Sequence, residues 1–342
     1  MVFVKILDEG NGTLLGWRDP DENRDYIMQN KSRELKDKRI SAAEAVSRYV
    51  KDEDFVVSGG FGHIRVSMPV IYEIIRQGKK NLAIAGKTAV HDMDLLIASG
   101  SVSRIEVAYS FGYELRGLAP ASRRMIESGK CKVVSEISNA GYQWRFLAGM
   151  MGIPFIPSRN MLGTDTFRHS SAKTVECPFS GKPITLLPAA YPDVAFIHVH
   201  RCDKFGNAQI DGIMIEDYEI ARAARRLIIT TEKIIPESDT RKSPDRTQIP
   251  FYCVDAVIEV PYGSHPCLMP YLYYFDEEHM AEWLSLSKTP EGTEKYMEKY
   301  IYGPKTHRDY LRLIGGKKKM DYLRKVENLS ALPKIPWLKR GD

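Results

Sequence analysis

Three glycines within four residues, Gly59-Gly60-Phe61-Gly62, follow the apolar run Asp54-Phe55-Val56-Val57-Ser58 and precede a helical pattern. A buried strand that empties into glycines and then a helix can present backbone N–H groups to an anionic or carbonyl-bearing ligand. Glycine permits φ > 0 and lets a ligand approach where a Cβ would stand in the way. A dinucleotide fingerprint would begin at Gly60 and Gly62, but its third glycine position holds Arg65, which excludes it. The residues leave two readings open, a ligand cradle and a tight strand-to-helix turn.

Gly86-Lys87-Thr88 mimics the end of a phosphate-binding loop, yet the position five before Gly86 is Asn81 rather than glycine, so that motif fails. His198, His200 and Cys202 alternate along a predicted strand and share one face. Same-face neighbours stand roughly 7 Å apart, so one zinc ion would take two of them at most. We therefore expect a buried polar strand and no metal. Asp92 and Asp94 diverge by about 200° on a helix and cannot work as a paired acid and base; Asp92 is placed to cap the helix that follows. Glu136 and Asn139 end a predicted strand just before a helix, at the edge where α/β sheets place their sites, although Asn139 also suits an N-cap. Glu114 occupies a comparable edge position after another strand. No Ser-His-Asp order and no G-x-S-x-G occur.

These residues need a scaffold, and the periodicity supplies one. Strands are expected at about 54–58, 82–86, 103–109, 131–137, 153–156, 184–188, 193–200 and 226–231. Helices are expected at about 68–78, 91–98, 120–128, 140–151 and 216–225. Ser41-Ala42-Ala43-Glu44 is a capping box that opens a helix running to about Val50. The alternation predicts an open, mostly parallel α/β sheet with helices on both faces. Residues 1–40 read as an arm that packs on another subunit or stays mobile, 41–275 as the α/β domain, and 276–342 as a helical extension with stretches at Glu277 to Leu286 and Glu291 to Tyr302. Residues 159–183 lack periodicity and read as a functional loop.

Hydrophobic content of 43% and charged content of 27% fit a soluble globular chain of 342 residues. A net charge of +5 with no aromatic-interleaved basic stripe argues against a nucleic-acid partner. No apolar run approaches the ~20 residues of a membrane span. Five scattered cysteines without a C-x-x-C pair point to free thiols in a reducing, cytoplasmic setting.

Seven motifs stand in order: Phe61-Gly62-x-x-Arg65, Tyr72 to Gly78, Asp92 to Gly100, Ser122-Arg123-Arg124, Gly152 to Pro157, Cys253 to Val257, and Pro261-Tyr262-Gly263-Ser264-His265-Pro266. In this register the chain resembles the α subunit of the family I coenzyme A transferases over roughly residues 41–315. The resemblance implies the fold shared with sugar-phosphate isomerases, a CoA thioester as substrate, a carboxylic acid as acceptor, and no bound cofactor. It implies a β-subunit partner that carries a glutamate nucleophile, in an α2β2 or larger assembly. The acyl pocket would then be built from Gly59, Gly60, Phe61, Gly62, Arg65 as a carboxylate clamp, and Glu114. The family is glycine-rich where this chain has Lys87, Thr88 and His91, so Lys87 or His91 is a candidate for meeting a substrate carboxylate; a plain loop is the other reading. CoA-ester hydrolases of this fold use an α-subunit carboxylate near the position of Asn139, which makes Glu136 and Asn139 the catalytic candidates. An amide can orient a carbonyl but cannot act as a base. Two alternatives stay open: a thioester hydrolase or ring-opening enzyme of the same build, and a non-catalytic binding or scaffold subunit.

Overall fold

The computed structural model describes residues 5–336. Among these residues, twelve strands form two sheets. The larger contains β2 (Phe55–Ser58), β3 (Leu82–Lys87), β4 (Val102–Ala108), β5 (Lys132–Glu136), β9 (Val194–Cys202), β10 (Ala208–Gln209), β11 (Arg226–Ile234) and β12 (Ala256–Glu259). Its order is β12-β11-β9-β2-β3-β4-β5, every neighbouring pair parallel, with β10 hairpinned antiparallel onto β9. The smaller sheet is antiparallel, in the order β1 (Ile6–Glu9), β7 (Lys173–Glu176), β8 (Pro183–Pro188), β6 (Phe155–Ser158). The strands expected at 153–156 and 184–188 belong to this second sheet. The segment 159–183, expected to be a loop, contains β7 and a helical turn at Asp165–Arg168.

Helices α1 (Pro20–Asn30), α2 (Ala42–Tyr49), α3 (Met68–Arg76), α4 (His91–Ala98), α5 (Pro120–Glu127), α6 (Asn139–Met151), α7 (Asp165–Arg168), α8 (Asp217–Ala223) and α9 (Glu237–Lys242) lie before residue 275, and α10 (Glu277–Leu286), α11 (Pro290–Met297), α12 (His307–Leu313) and α13 (Gly316–Glu327) after it. Alternation along the parallel strands divides the core between the two faces of the sheet. Val56, Ile84 and Ile228 point to the face covered by α2 to α5 and the C-terminal helices. Val57, Ala85 and Ile229 point to the face covered by α6 and α8.

Residues 5–40 are not a free arm: they pack on their own chain. β1 pairs with β7, Asn23 accepts from Arg225 at 2.9 Å, and the buried Lys38 donates to the carbonyls of Phe251 and Val254 at 2.6 and 2.7 Å. Nor does packing break at 275. Trp283, Tyr296, Tyr300, Tyr310 and Leu323 share one core with α3 and α4. Trp283 is wholly buried and its Nε1 donates to Asp94 Oδ2 at 2.7 Å. Trp283→Phe keeps most of the apolar contact but removes one of the donors to a buried carboxylate. We expect a loss of about 1–3 kcal/mol in chemical denaturation; an unchanged midpoint would show that the C-terminal helices are held by area alone.

Candidate active site

All seven strands of the parallel path point the same way, so the segments after β2, β3, β4 and β5 gather at one carboxyl edge, where α/β sheets bind ligands. The glycine segment follows β2. Gly60 has φ +84°, and a Cβ there would lie 2.2 Å from the Ile64 carbonyl oxygen, so only glycine closes this turn. A Cβ on Gly59 would lie 2.7 Å from Asp217 Oδ1, and the Gly60 N–H donates to that same oxygen at 2.9 Å. The carboxylate this segment embraces most tightly is therefore the chain's own Asp217. Gly59 N–H goes to Phe196 O and Phe61 N–H to Ile64 O, whereas among the described residues the N–H groups of Gly62 and His63 have no acceptor. Of the two, Gly62 lines the cavity described next.

Arg65 does not face a ligand. Its side chain is wholly buried and donates to both Asp217 oxygens, at 3.0 and 2.7 Å. Burial alone would raise the Asp217 carboxyl; Arg65 and the N–H groups of Gly60 and Ile215 outweigh it and hold it below the ordinary range. The expected clamp is an internal ion pair that ties the glycine turn to the start of α8.

A small cavity opens beside this pair, between Ser58 to Gly62, the end of β3, Asp92, Tyr142 and Glu216. Lys87 and Glu216 form an ion pair on its wall, both side chains more than nine-tenths buried. The Lys87 ammonium lies 5.6 Å from the centre of the Phe61 ring. Burial raises Glu216 to about 7, with Lys87 pulling the other way and the neighbouring Asp217 and Glu219 adding to the rise. Sequence reasoning missed Glu216 and Asp217; the available signal was their place at the head of the helix expected at 216–225.

The other expected residues lie elsewhere. His91 is wholly buried in the aromatic core, with Nδ1 3.2 Å from the Tyr113 hydroxyl and Trp283 and Tyr296 edge-on around it. Burial holds its imidazole neutral. Glu114 is two-thirds exposed beside Arg116, away from the cavity. Glu136 is half-buried at the end of β5 and Asn139 is exposed as the first residue of α6. Neither lines the cavity. The cap of α6 is Ser138, whose hydroxyl accepts from Gly141 N–H at 3.0 Å, and not Asn139. Asp92 accepts from Val90 N–H at 3.1 Å and faces the cavity, whereas Asp94 turns to Ser122 and Trp283.

His198 is hydrogen-bonded to Thr230 and Glu232, at 2.8 and 2.9 Å, and His200 to Pro270 O and Asp211 N–H, at 2.9 and 3.0 Å. Cys202 joins the core on the opposite side of the sheet from Phe196, so the three are not gathered as ligands. His265, Asp276 and His279 do bring metal-type ligand atoms within 4.8 Å of one another. The Lys319 ammonium, 2.9 Å from Asp276 Oδ2, supplies the positive charge there.

The coenzyme A transferase family model matches residues 39–260, a span that includes the glycine turn, Lys87 and Glu216. The chain belongs to the coenzyme A transferase family. An uncharacterized protein of Archaeoglobus fulgidus is 60% identical over 98% of this chain and 75% of its own length. The A-subunit of glutaconate CoA-transferase from Acidaminococcus fermentans is 29% identical over 81% of this chain and 92% of its own. The crystal structure of that transferase superposes with a TM-score of 0.80, covering 84% of this chain and 95% of that one. The A-subunit of 3-oxoadipate CoA-transferase from Pseudomonas knackmussii is 31% identical over 79% of this chain and 96% of its own length. The family's fold accounts for the parallel sheet. Among the described residues, no helix of this CoA-transferase chain is long and apolar enough to cross a membrane.

Proposed function

We propose that this chain is the α subunit of a cytoplasmic, heteromeric CoA-transferase that moves CoA between an acyl-CoA and a carboxylic acid. The nucleophile is a glutamate of the β subunit, and no cofactor is needed beyond the CoA thioester itself. The observation that supports this most is the state of the acids at the carboxyl edge. Asp217 is locked to Arg65, Glu216 is paired with Lys87, and Glu136 stands off the cavity. Carboxylates held in buried ion pairs are poor nucleophiles, and the remaining cavity acid, Asp92, is raised by burial and held by the Val90 N–H, which supports an attacking group from a second chain. The transferase relatives, each the A-subunit of its enzyme, agree with a two-subunit build, and two-fold symmetry makes α2β2 the simplest assembly.

In this reading the β glutamate attacks the thioester carbonyl, the C–S bond breaks and CoA thiolate leaves an acyl-glutamyl anhydride. The thiolate then attacks the glutamyl carbonyl and releases the acyl carboxylate. The glutamyl-CoA thioester so formed passes CoA to the acceptor acid by the same two steps reversed. The free N–H groups of Gly62 and His63 are the donors this chain offers to the oxyanion of the thioester carbonyl. Transfer and hydrolysis separate on one assay. Acyl-CoA consumption by the α/β complex is expected to accelerate when an acceptor carboxylate is added. Turnover that ignores the acceptor and vanishes in Glu136→Gln would instead make the enzyme a hydrolase, with a fall of about 100-fold or more.

A further inference from the structure

The chemistry above leaves the Lys87–Glu216 pair without a task. Both side chains are more than nine-tenths buried, on the wall of the cavity beneath the glycine turn. Arg65–Asp217 already ties that turn to the head of α8. Burying a second ion pair costs desolvation that Coulomb attraction repays poorly, so packing alone does not account for it. The cavity has room for about one water molecule, so an acyl chain does not reach Lys87. Its electric field does reach across. Gly62, whose N–H is free, lines the same cavity, and the Lys87 ammonium lies 5.6 Å from the ring of Phe61, the residue before it. Among the described residues, Lys87 is the one cation that lines this cavity.

Every step of the transfer cycle begins and ends with an anion. A carboxylate attacks, the carbonyl oxygen takes up the charge, and a thiolate or carboxylate leaves. No proton is gained or lost, so the site gains more from a fixed positive charge near that oxygen than from an acid or a base. Resting on the transferase reading, we propose that Lys87 is a positioning charge, which stabilises the thioester oxyanion from behind the Gly62 donor, and that Glu216 sets how much of this charge is felt. An ionised Glu216 cancels most of the field. One solvent proton, forming an O–H bond on its carboxylate, leaves the ammonium uncancelled and touches no bond of the substrate. Burial brings that exchange within reach, since it raises the Glu216 carboxyl to about 7. The groups that face Glu216 are Lys87 from β3, Tyr142 from α6, and Asp217 and Glu219 from its own end of α8, with Asp92 of α4 across the cavity. Arg65 neutralises Asp217, and Glu219 adds to the rise.

The test is the rate of acyl-CoA consumption by the α/β complex from pH 6 to 8.5, using the fastest of acetyl-, butyryl-, glutaryl- and benzoyl-CoA. Glu216→Gln should match the unaltered complex at pH 6 and exceed it roughly tenfold at pH 8.5, where the native carboxylate is ionised. Lys87→Met should lose about tenfold in kcat at pH 6 with KM little changed, because the ground-state carbonyl carries no charge. That loss should shrink toward nothing at pH 8.5. Lys87→Arg should keep the rate at pH 6. Should either Glu216→Gln or Lys87→Met fail to assemble, the other carries the same information, since the two ratios change with pH in opposite senses. A Glu216→Gln ratio that is the same at every pH, or a Lys87→Met loss confined to KM, would overturn the proposal and leave the transferase reading untouched. Consumption that ignores an added acceptor acid would sink the transferase reading alone, since hydrolysis forms the same oxyanion. A complex that consumes none of the four thioesters would contradict both.

Discussion

Replacing Arg65 with alanine is expected to cost about 3–5 kcal/mol of folding stability, because it leaves the Asp217 carboxylate buried without its cation. Both side chains are wholly inaccessible, and Asp217 also holds the Gly60 N–H. Against a typical domain stability of about 5–15 kcal/mol, that is a third of the total or more. Asp217→Asn should also destabilise, since it strands the guanidinium. Removing both charges together, as Arg65→Met with Asp217→Leu, should cost less than the more damaging single change, because no uncompensated charge remains. The sign with pH follows. The Asp217 carboxyl lies below its ordinary value in the fold, so its contribution is present above about pH 4 and is lost as pH falls through the depressed folded value. The Arg65→Ala loss should accordingly shrink in acid. Urea titrations across pH would read this directly. A variant that unfolds like the unaltered chain but shows a greatly raised KM would restore Arg65 to the role of substrate clamp.

The sequence carried the parallel sheet well, because its central strands are buried on both faces and read as short apolar runs. Phe55 to Ser58, Leu82 to Lys87 and Arg226 to Ile234 are of this kind, and the helices between them show their apolar stripes. What escaped notice was half of the antiparallel sheet, β1 and β7. Lys173–Glu176 is four residues long with charged ends, and Ile6–Glu9 is exposed throughout, so neither shows a pattern until paired. The strand Ala256–Glu259 was also missed.

At the site, the glycine turn and Lys87 were legible as chemistry at a strand end. Their partners were not. Asp217 lies 152 residues from Arg65 along the chain, and nothing local marks an acid at a helix start as the counter-ion of a distant arginine. His91 misled for the opposite reason. Its neighbours in sequence place it at a sheet edge, while Tyr113, Trp283 and Tyr296, up to about two hundred residues away, enclose it in the core.

The largest effect on activity should come from the partner. The isolated chain is expected to transfer no CoA, since Glu216 and Asp217 are committed to ion pairs and Glu136 stands off the cavity, and co-expression with its β subunit should restore turnover. Mass spectrometry of the complex after exposure to acyl-CoA tests the central claim most directly. We expect a CoA thioester on one glutamate of the β subunit, discharged when the acceptor carboxylate is added, and no adduct on this chain. A covalent adduct on Glu136 or Glu216, or CoA transfer by this chain without a partner, would contradict the account.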